Sequence, residues 1–88
     1  MFFKRKINCS RVAVISIIVE NPERVSDIND ILHTAAPHII GRMGIPYREK
    51  NISIISVVVD AALNDINNIS GRLGRLSGVT VKTAYAKQ

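Results

Sequence analysis

The stretch from Gly41 to Arg48, GRMGIPYR, combines two arginines with a tyrosine and interrupts a strand pattern with two glycines. Glycine inside a strand often marks a bulge or a place where another group comes close to the backbone. A basic side chain beside an aromatic ring would suit a small anionic ligand. We therefore predict a ligand site here, with candidate contacts from Gly41, Arg42, Met43, Gly44, Pro46, Tyr47 and Arg48.

The face on which each of these side chains lies depends on the regularity of the strand. Simple alternation puts Arg42 on one face and Met43, Ile45 and Tyr47 on the other. The ring and the guanidinium could share a pocket only if a bulge at the glycines changed that parity. In the alternative arrangement, Tyr47 covers the sheet edge and the arginines stay hydrated. The sequence leaves both arrangements open.

The sequence GxxG occurs twice, at Gly41–Gly44 and at Gly71–Gly74, each time with arginine in second place. This is the spacing of a loop that clamps the nucleotide backbone in one class of RNA-binding domain, but that loop joins two helices. Here the first pair falls in a strand pattern and the second in a helix pattern. We therefore predict structural roles, with the second pair letting its helix approach the sheet closely.

Patterns typical of catalysis and of metal binding are missing from the sequence. Cys9, His33 and His38 do not have the CxxC or HxxxH spacing of metal ligands. No serine, cysteine or lysine lies in a nucleophile motif, and the carboxylates fall at predicted helix caps or on a solvated helix face. The sequence therefore predicts a protein that is not an enzyme and that holds no metal or other cofactor.

Strand and helix patterns alternate around the candidate site. Asn21 and Pro22 predict a helix start, and Pro37 predicts its end. The predicted elements are strands over 11–20, 38–47, 52–59 and 79–86, a polar turn over 48–51, and a second helix capped by Asp60. The apolar stripes of the two helices are Val25, Ile28, Leu32, Ala35 and Leu63, Ile66, Ile69, Leu73, Leu76.

The chain is an approximate internal repeat, because the apolar stretch 12–20 matches the stretch 52–60 and Ser16 falls on Ser56. Two related βαβ halves with right-handed crossovers place the first and third strands at the centre of one sheet. The predicted fold is therefore an α+β ferredoxin-like βαββαβ plait. Its antiparallel sheet has the strand order 4-1-3-2, with two helices on one face.

The first and third strands carry valine, isoleucine and alanine on both of their faces. Two helices can cover only one face of such a sheet. We therefore expect a homo-oligomer, a dimer or a tetramer, in which the other face is a subunit interface.

The positive charge of the chain is concentrated at its start. Of the twelve Lys and Arg residues, Lys4, Arg5, Lys6 and Arg11 precede residue 12, although the net charge of the whole chain is +5. We predict a basic N-terminal arm over residues 1–10 and a single domain over residues 11–88. One cysteine and the lack of a signal-peptide cleavage site predict a cytoplasmic protein without a membrane span.

The stretch GRMGIPYREK, the strand ISIISVVVD and the later NISGRLGRLSGVTVKTAY together resemble a family of proposed regulators of the iron-only hydrogenase system. That family is similar to the ACT-like ferredoxin plaits, which respond to small ligands as dimerisation modules, and to the effector domain of nickel-responsive regulators. The resemblance implies a bacterial regulator with a hydrogenase-system protein as a possible partner. The nickel regulators imply histidine and cysteine ligands on the second and third strands, and residues 39–59 contain neither.

Three functions are compatible with this sequence. The first is a regulatory module that oligomerises through its sheet and senses a small ligand near Gly41–Tyr47. The second is a nucleic-acid-binding regulator that uses the basic arm with Arg42, Arg72 and Arg75, although the nearly neutral remainder of the chain does not favour it. The third is a structural partner of a maturation enzyme.

Overall fold

The computed structural model describes residues 10–87. They form four strands and two helices in the order βαββαβ. The elements are β1 (Ser10–Val19), α1 (Val25–Thr34), β2 (Ile39–Tyr47), β3 (Ile52–Ala62), α2 (Leu63–Gly74) and β4 (Val79–Tyr85). All neighbouring strands are antiparallel, in the order β2-β3-β1-β4. This is the predicted order read from the opposite edge, so the ferredoxin-like α+β fold is confirmed.

One face of the sheet and the inner faces of the helices form a single apolar core. The central strands contribute alternate residues, and the helices contribute residues spaced by three and four positions. The buried core residues are Ala13, Ile15, Ile17, Val19, Ile28, Ile31, Leu32, Ala35, Ile55, Val57, Val59, Ala61, Ile66, Ile69 and Leu73. No polar or charged residue among those described is buried. The fold is therefore held by apolar packing on one side of the sheet.

The predicted start of the first helix is confirmed by its cap. The Asn21 side chain accepts a hydrogen bond of 3.1 Å from the backbone N–H of Glu23, and Pro22 follows at the first helical position. A short 3₁₀ turn, Pro22–Arg24, leads into α1. Helix α1 ends at Thr34 because Pro37 lies ahead, and a second 3₁₀ turn, Ala36–His38, leads into β2.

The prediction that Asp60 caps the second helix is wrong. Strand β3 continues to Ala62 because Asp60, Ala61 and Ala62 pair in register with the first residues of β1. Ala62 holds the cap position and makes no side-chain hydrogen bond. Leu63, expected in the buried stripe, is 43% exposed because α2 only begins there.

The prediction that Gly71 and Gly74 let their helix approach the sheet closely is wrong, and the close backbone contact lies at Gly78 instead. A Cβ at Gly74 would meet nothing within 4 Å, and one at Gly71 would meet only Arg75, at 3.8 Å. Gly78, just before β4, has φ +73°, and a Cβ there would lie 2.7 Å from the Cβ of Asn21. Its carbonyl also accepts a hydrogen bond of 2.7 Å from the N–H of Glu20. This contact joins the start of β4 to the loop after β1.

Gly78→Ala is expected to lower the free energy of unfolding by about 1–3 kcal/mol, because the left-handed backbone and the contact with Asn21 both exclude a methyl group. The measurement is urea unfolding followed by far-UV circular dichroism. Gly74→Ala is the matched control, since it adds the same methyl group in open space at a helix end. Equal stability of the two variants would contradict the role given to Gly78.

Candidate functional site

A β-bulge at the start of β2 decides the face on which each candidate residue lies. Ile39 pairs with Val59 and Gly41 with Val58, so Ile40 has no partner in the register. After the bulge, Arg42 pairs with Val57. Opposed residues of antiparallel strands share a face, and Val57 is fully buried under the helices. Arg42 therefore lies on the helix side of the sheet.

Met43, Ile45 and Tyr47 lie on the opposite face, which we call the open face. They pair with Ser56, Ile54 and Ile52 in turn, on the side of the sheet that carries no helix. The bulge precedes Arg42 and does not fall between Arg42 and Tyr47. The guanidinium and the phenol are thus on different sides of the sheet, and no pocket brings them together.

The two side chains have separate partners. Arg42 Nη2 donates a hydrogen bond of 3.0 Å to Asn29 Oδ1 on α1. The Tyr47 hydroxyl donates one of 2.7 Å to Glu49 Oε1 in the turn that follows β2. The two glycines of the stretch border no side chain, because a Cβ at Gly41 or Gly44 would meet nothing within 4 Å.

Two cavities border the candidate stretch. Pro46, Tyr47 and Arg48 line a cavity of about 90 Å³, together with residues of the loops after β1 and β2. Arg42 lines a groove of about 420 Å³ between α1 and β2. Only the groove reaches the size of typical small-molecule sites, which are about 300–1,000 Å³. Ligand binding by the stretch as a whole stays a prediction.

The groove, which we call the α1–β2 groove, has an apolar floor and a polar rim. Leu32, Ala36 and Ile39 supply the apolar groups. Asn29 and His33 lie one helical turn apart on α1 and line the groove together with Arg42, which donates a hydrogen bond to Asn29. Sequence reasoning missed Asn29, and it interpreted His33 as an ordinary capping or surface histidine after rejecting a metal site. The sequence did contain a signal for them, because Asn29 and His33 are spaced by four positions on the side of α1 next to its buried stripe.

The described residues hold no group of three or more histidine, cysteine or acidic side chains close enough to bind a metal ion. Cys9 lies outside the described residues. Within residues 10–87, no helix is long and apolar enough to cross a membrane.

The open face carries large apolar residues from three of the four strands. Six of them are exposed to between 40% and 59%: Val12, Ile18, Met43, Ile45, Tyr47 and Ile54. Val14, Ile52 and Val58 share the same face and are half-buried. Its charged residues, Asp60 and Lys82, lie in register with Val12 and Ser16 respectively, towards one end of β3 and on the edge strand β4.

Two serines mark the centre of the open face. Ser16 and Ser56 lie directly opposite each other on β1 and β3. They are also matching positions of the two βαβ halves, so the approximate two-fold axis of the internal repeat passes between them. The two central strands are therefore matched across a pair of small side chains, whereas the edge strands differ, because β4 carries Thr80, Lys82 and Ala84 on this face.

Several arginines of the nucleic-acid alternative have internal partners. Arg11 lies in β1, where its Nη2 donates a hydrogen bond of 2.9 Å to the carbonyl of Ala86 and its guanidinium carbon lies 5.0 Å from the centre of the Tyr85 ring. Arg72 Nη1 donates one of 3.1 Å to Thr34 Oγ1. Arg11 thus fastens the end of β4 to β1. The basic residues of the predicted arm, Lys4, Arg5 and Lys6, lie outside the described residues.

The hydrogen bond to Glu49 raises the pKa of Tyr47 above its ordinary value, and partial desolvation acts in the same direction. Removing the carboxylate removes the acceptor that favours the protonated phenol. Glu49→Ala is therefore expected to lower the pKa of Tyr47, as measured by an NMR titration of its ring carbons. Glu23→Ala removes a carboxylate elsewhere and should leave that pKa unchanged. A Tyr47 titration that is the same in both variants would contradict the contact.

A family profile described as "TM1266-like: Iron-only hydrogenase system regulator, putative" matches residues 11–83, from β1 into β4. Among solved structures, the chain is similar to protein TM1266 from Thermotoga maritima, with 35% sequence identity and a TM-score of 0.85. That similarity covers 89% of this chain and 99% of the other. No curated protein matches the sequence. The resemblance inferred from GRMGIPYREK is thereby confirmed, and the chain belongs to the TM1266-like family.

Proposed function

We propose that this protein is a non-enzymatic regulatory module that assembles with copies of itself through the open face and responds to a small ligand. The observation that carries the proposal is the apolar surface of β1, β2 and β3 on the side without helices. A patch of this kind on a small protein is typical of a protein interface. The family description supports a regulatory role in the iron-only hydrogenase system.

The layout of the open face supports a second copy as its occupant. Its centre is apolar or small, and Asp60 and Lys82 lie towards its margins. An apolar centre with a polar rim is the usual anatomy of a subunit interface. Ser16 and Ser56 at the centre would let two sheets approach to the usual separation of about 10 Å. A two-fold assembly would use the same patch on both subunits.

The size of the patch suits a specific interface as well. A typical one buries about 800 Å² on each partner, and apolar surface contributes about 25 cal/mol per Å² before the cost of association. Nine large apolar side chains on one sheet face can supply much of that area. The proposed compartment is the cytoplasm of a bacterial cell, with a hydrogenase-system protein as the wider partner.

Sedimentation equilibrium at tens of micromolar protein tests the assembly. The native chain is expected to be a dimer or a tetramer. Ile54→Glu should be monomeric, because it places an unpaired carboxylate among the apolar residues of the open face. Ile54 is 40% exposed in the single chain, so the substitution leaves the core intact.

Asn64→Glu is the matched control, since it adds the same charge to an exposed position on α2 in the helix layer. It should sediment like the native protein. A native chain that is monomeric under these conditions would overturn the proposal, as would equal assembly of the native protein and Ile54→Glu.

A further inference from the structure

We propose that the α1–β2 groove binds a small monocarboxylate with an apolar body, and that the guanidinium of Arg42 receives the carboxylate. This inference rests on the proposed function, because it identifies the place and the chemical class of the ligand to which the module responds. The ligand would lie on the helix side of β2. The subunit interface would lie on the open side of the same strand.

The first argument concerns the charge of the groove. Arg42 is the only ionisable residue in β2 apart from Tyr47 at its end, and the bulge at Ile40 is what turns it towards α1. Among the described residues, the salt bridges are Arg24 with Asp27 and His38 with Asp65, so Arg42 has no carboxylate within 4.0 Å. An exposed arginine at the mouth of a groove that lacks an acidic residue favours an anion.

The second argument concerns how Arg42 is held. Its single hydrogen bond, from Nη2 to Asn29 Oδ1, ties the side chain to α1 across the groove. A guanidinium has five N–H donors in a planar fork, so the others remain for a ligand. Two parallel donors match the two oxygens of a carboxylate. Asn29 therefore orients the guanidinium and leaves a bidentate contact available.

The third argument concerns the body of the ligand. Ala36, which is exposed, and Ile39, which is half-buried, supply the accessible apolar surface of the groove, and Leu32 in the same lining is only 1% exposed. These groups offer apolar contact and no hydrogen bond, which suits a hydrocarbon chain or ring. With one guanidinium at the rim, the charge matched by the groove is a single negative charge. A small inorganic anion would leave the floor uncovered.

The corresponding groove of the second βαβ half has no arginine on its helix side, which distinguishes it from the α1–β2 groove. The groove between α2 and β4, of about 590 Å³, is lined mostly by small and polar residues such as Ser70, Gly71 and Gly74, together with Val79 and Val81. Its one ionisable residue, Lys82, pairs with Ser16 and so belongs to the open-face side of β4. The two grooves are related by the internal repeat, but only the α1–β2 groove has an arginine on the helix side.

The test uses hexanoate as the probe, titrated into the full ¹⁵N-labelled chain and followed by amide chemical shifts. Hexanol carries the same chain without the charge, and acetate carries the charge without the chain. Saturable shifts are expected for hexanoate at Asn29, His33 and Arg42. Hexanol and acetate should each bind at least about tenfold more weakly, since each loses one of the two kinds of contact.

Arg42→Gln and Arg75→Gln form a matched pair, because each removes one exposed positive charge and keeps a polar side chain. Arg42→Gln should weaken hexanoate binding by about tenfold or more. Arg75→Gln should change it by less than about twofold, as expected for a screened charge outside the groove. Equal affinity of the two variants would overturn the proposal, and so would shifts centred on residues outside the groove.

Repeating the titration with Ile54→Glu separates this proposal from the assembly. If Ile54→Glu binds hexanoate, and adding Arg42→Gln to it weakens that binding, the groove is supported whatever the oligomeric state. No saturable binding in either the native chain or Ile54→Glu would overturn the groove proposal and leave the assembly through the open face standing.

Discussion

The constraint on which this structure depends is that a sheet with apolar residues on both faces has helices for only one of them. Alternate residues of β1 and β3 form the core with α1 and α2, and Ile15, Val57 and Val59 are fully buried there. The residues between them face the other way and leave a second apolar surface. Folding of one chain buries the first face and leaves the second exposed. The proposed assembly follows from this imbalance.

Much of the fold could be predicted because apolar periodicity and the handedness of crossovers leave few alternatives. The Asn21–Pro22 start, the end of α1 before Pro37 and the central position of β1 and β3 all follow from local rules. The end of β3 could not be predicted in this way. Asp60 is a good cap in isolation, but pairing with β1 extends the strand to Ala62 and removes the residue from the helix start.

The arrangement of the candidate site could be predicted less well than the fold, because the face of each side chain depends on a single unpaired residue. Two glycines in β2 suggested a bulge within the stretch Gly41–Gly44, whereas the register breaks one residue earlier, at Ile40. Ile39 is packed against the core on one side of the break, and the ladder with β3 resumes on the other. The partnership of Arg42 with Asn29 depends on how α1 lies over β2, which no local pattern specifies.

The bulge at Ile40 also has an evolutionary consequence. Side chains alternate along a strand, so if Ile40 took a regular place in the ladder, every residue after it in β2 would change sides. Arg42 would then lie on the open face, and Met43 and Tyr47 would lie on the helix side. Loss of Ile40 would instead remove the bulge and leave Arg42 opposite Val57, on the same side of the sheet as now. Relatives that are one residue shorter between Pro37 and Arg42 should therefore keep the residue equivalent to Arg42 on the helix side.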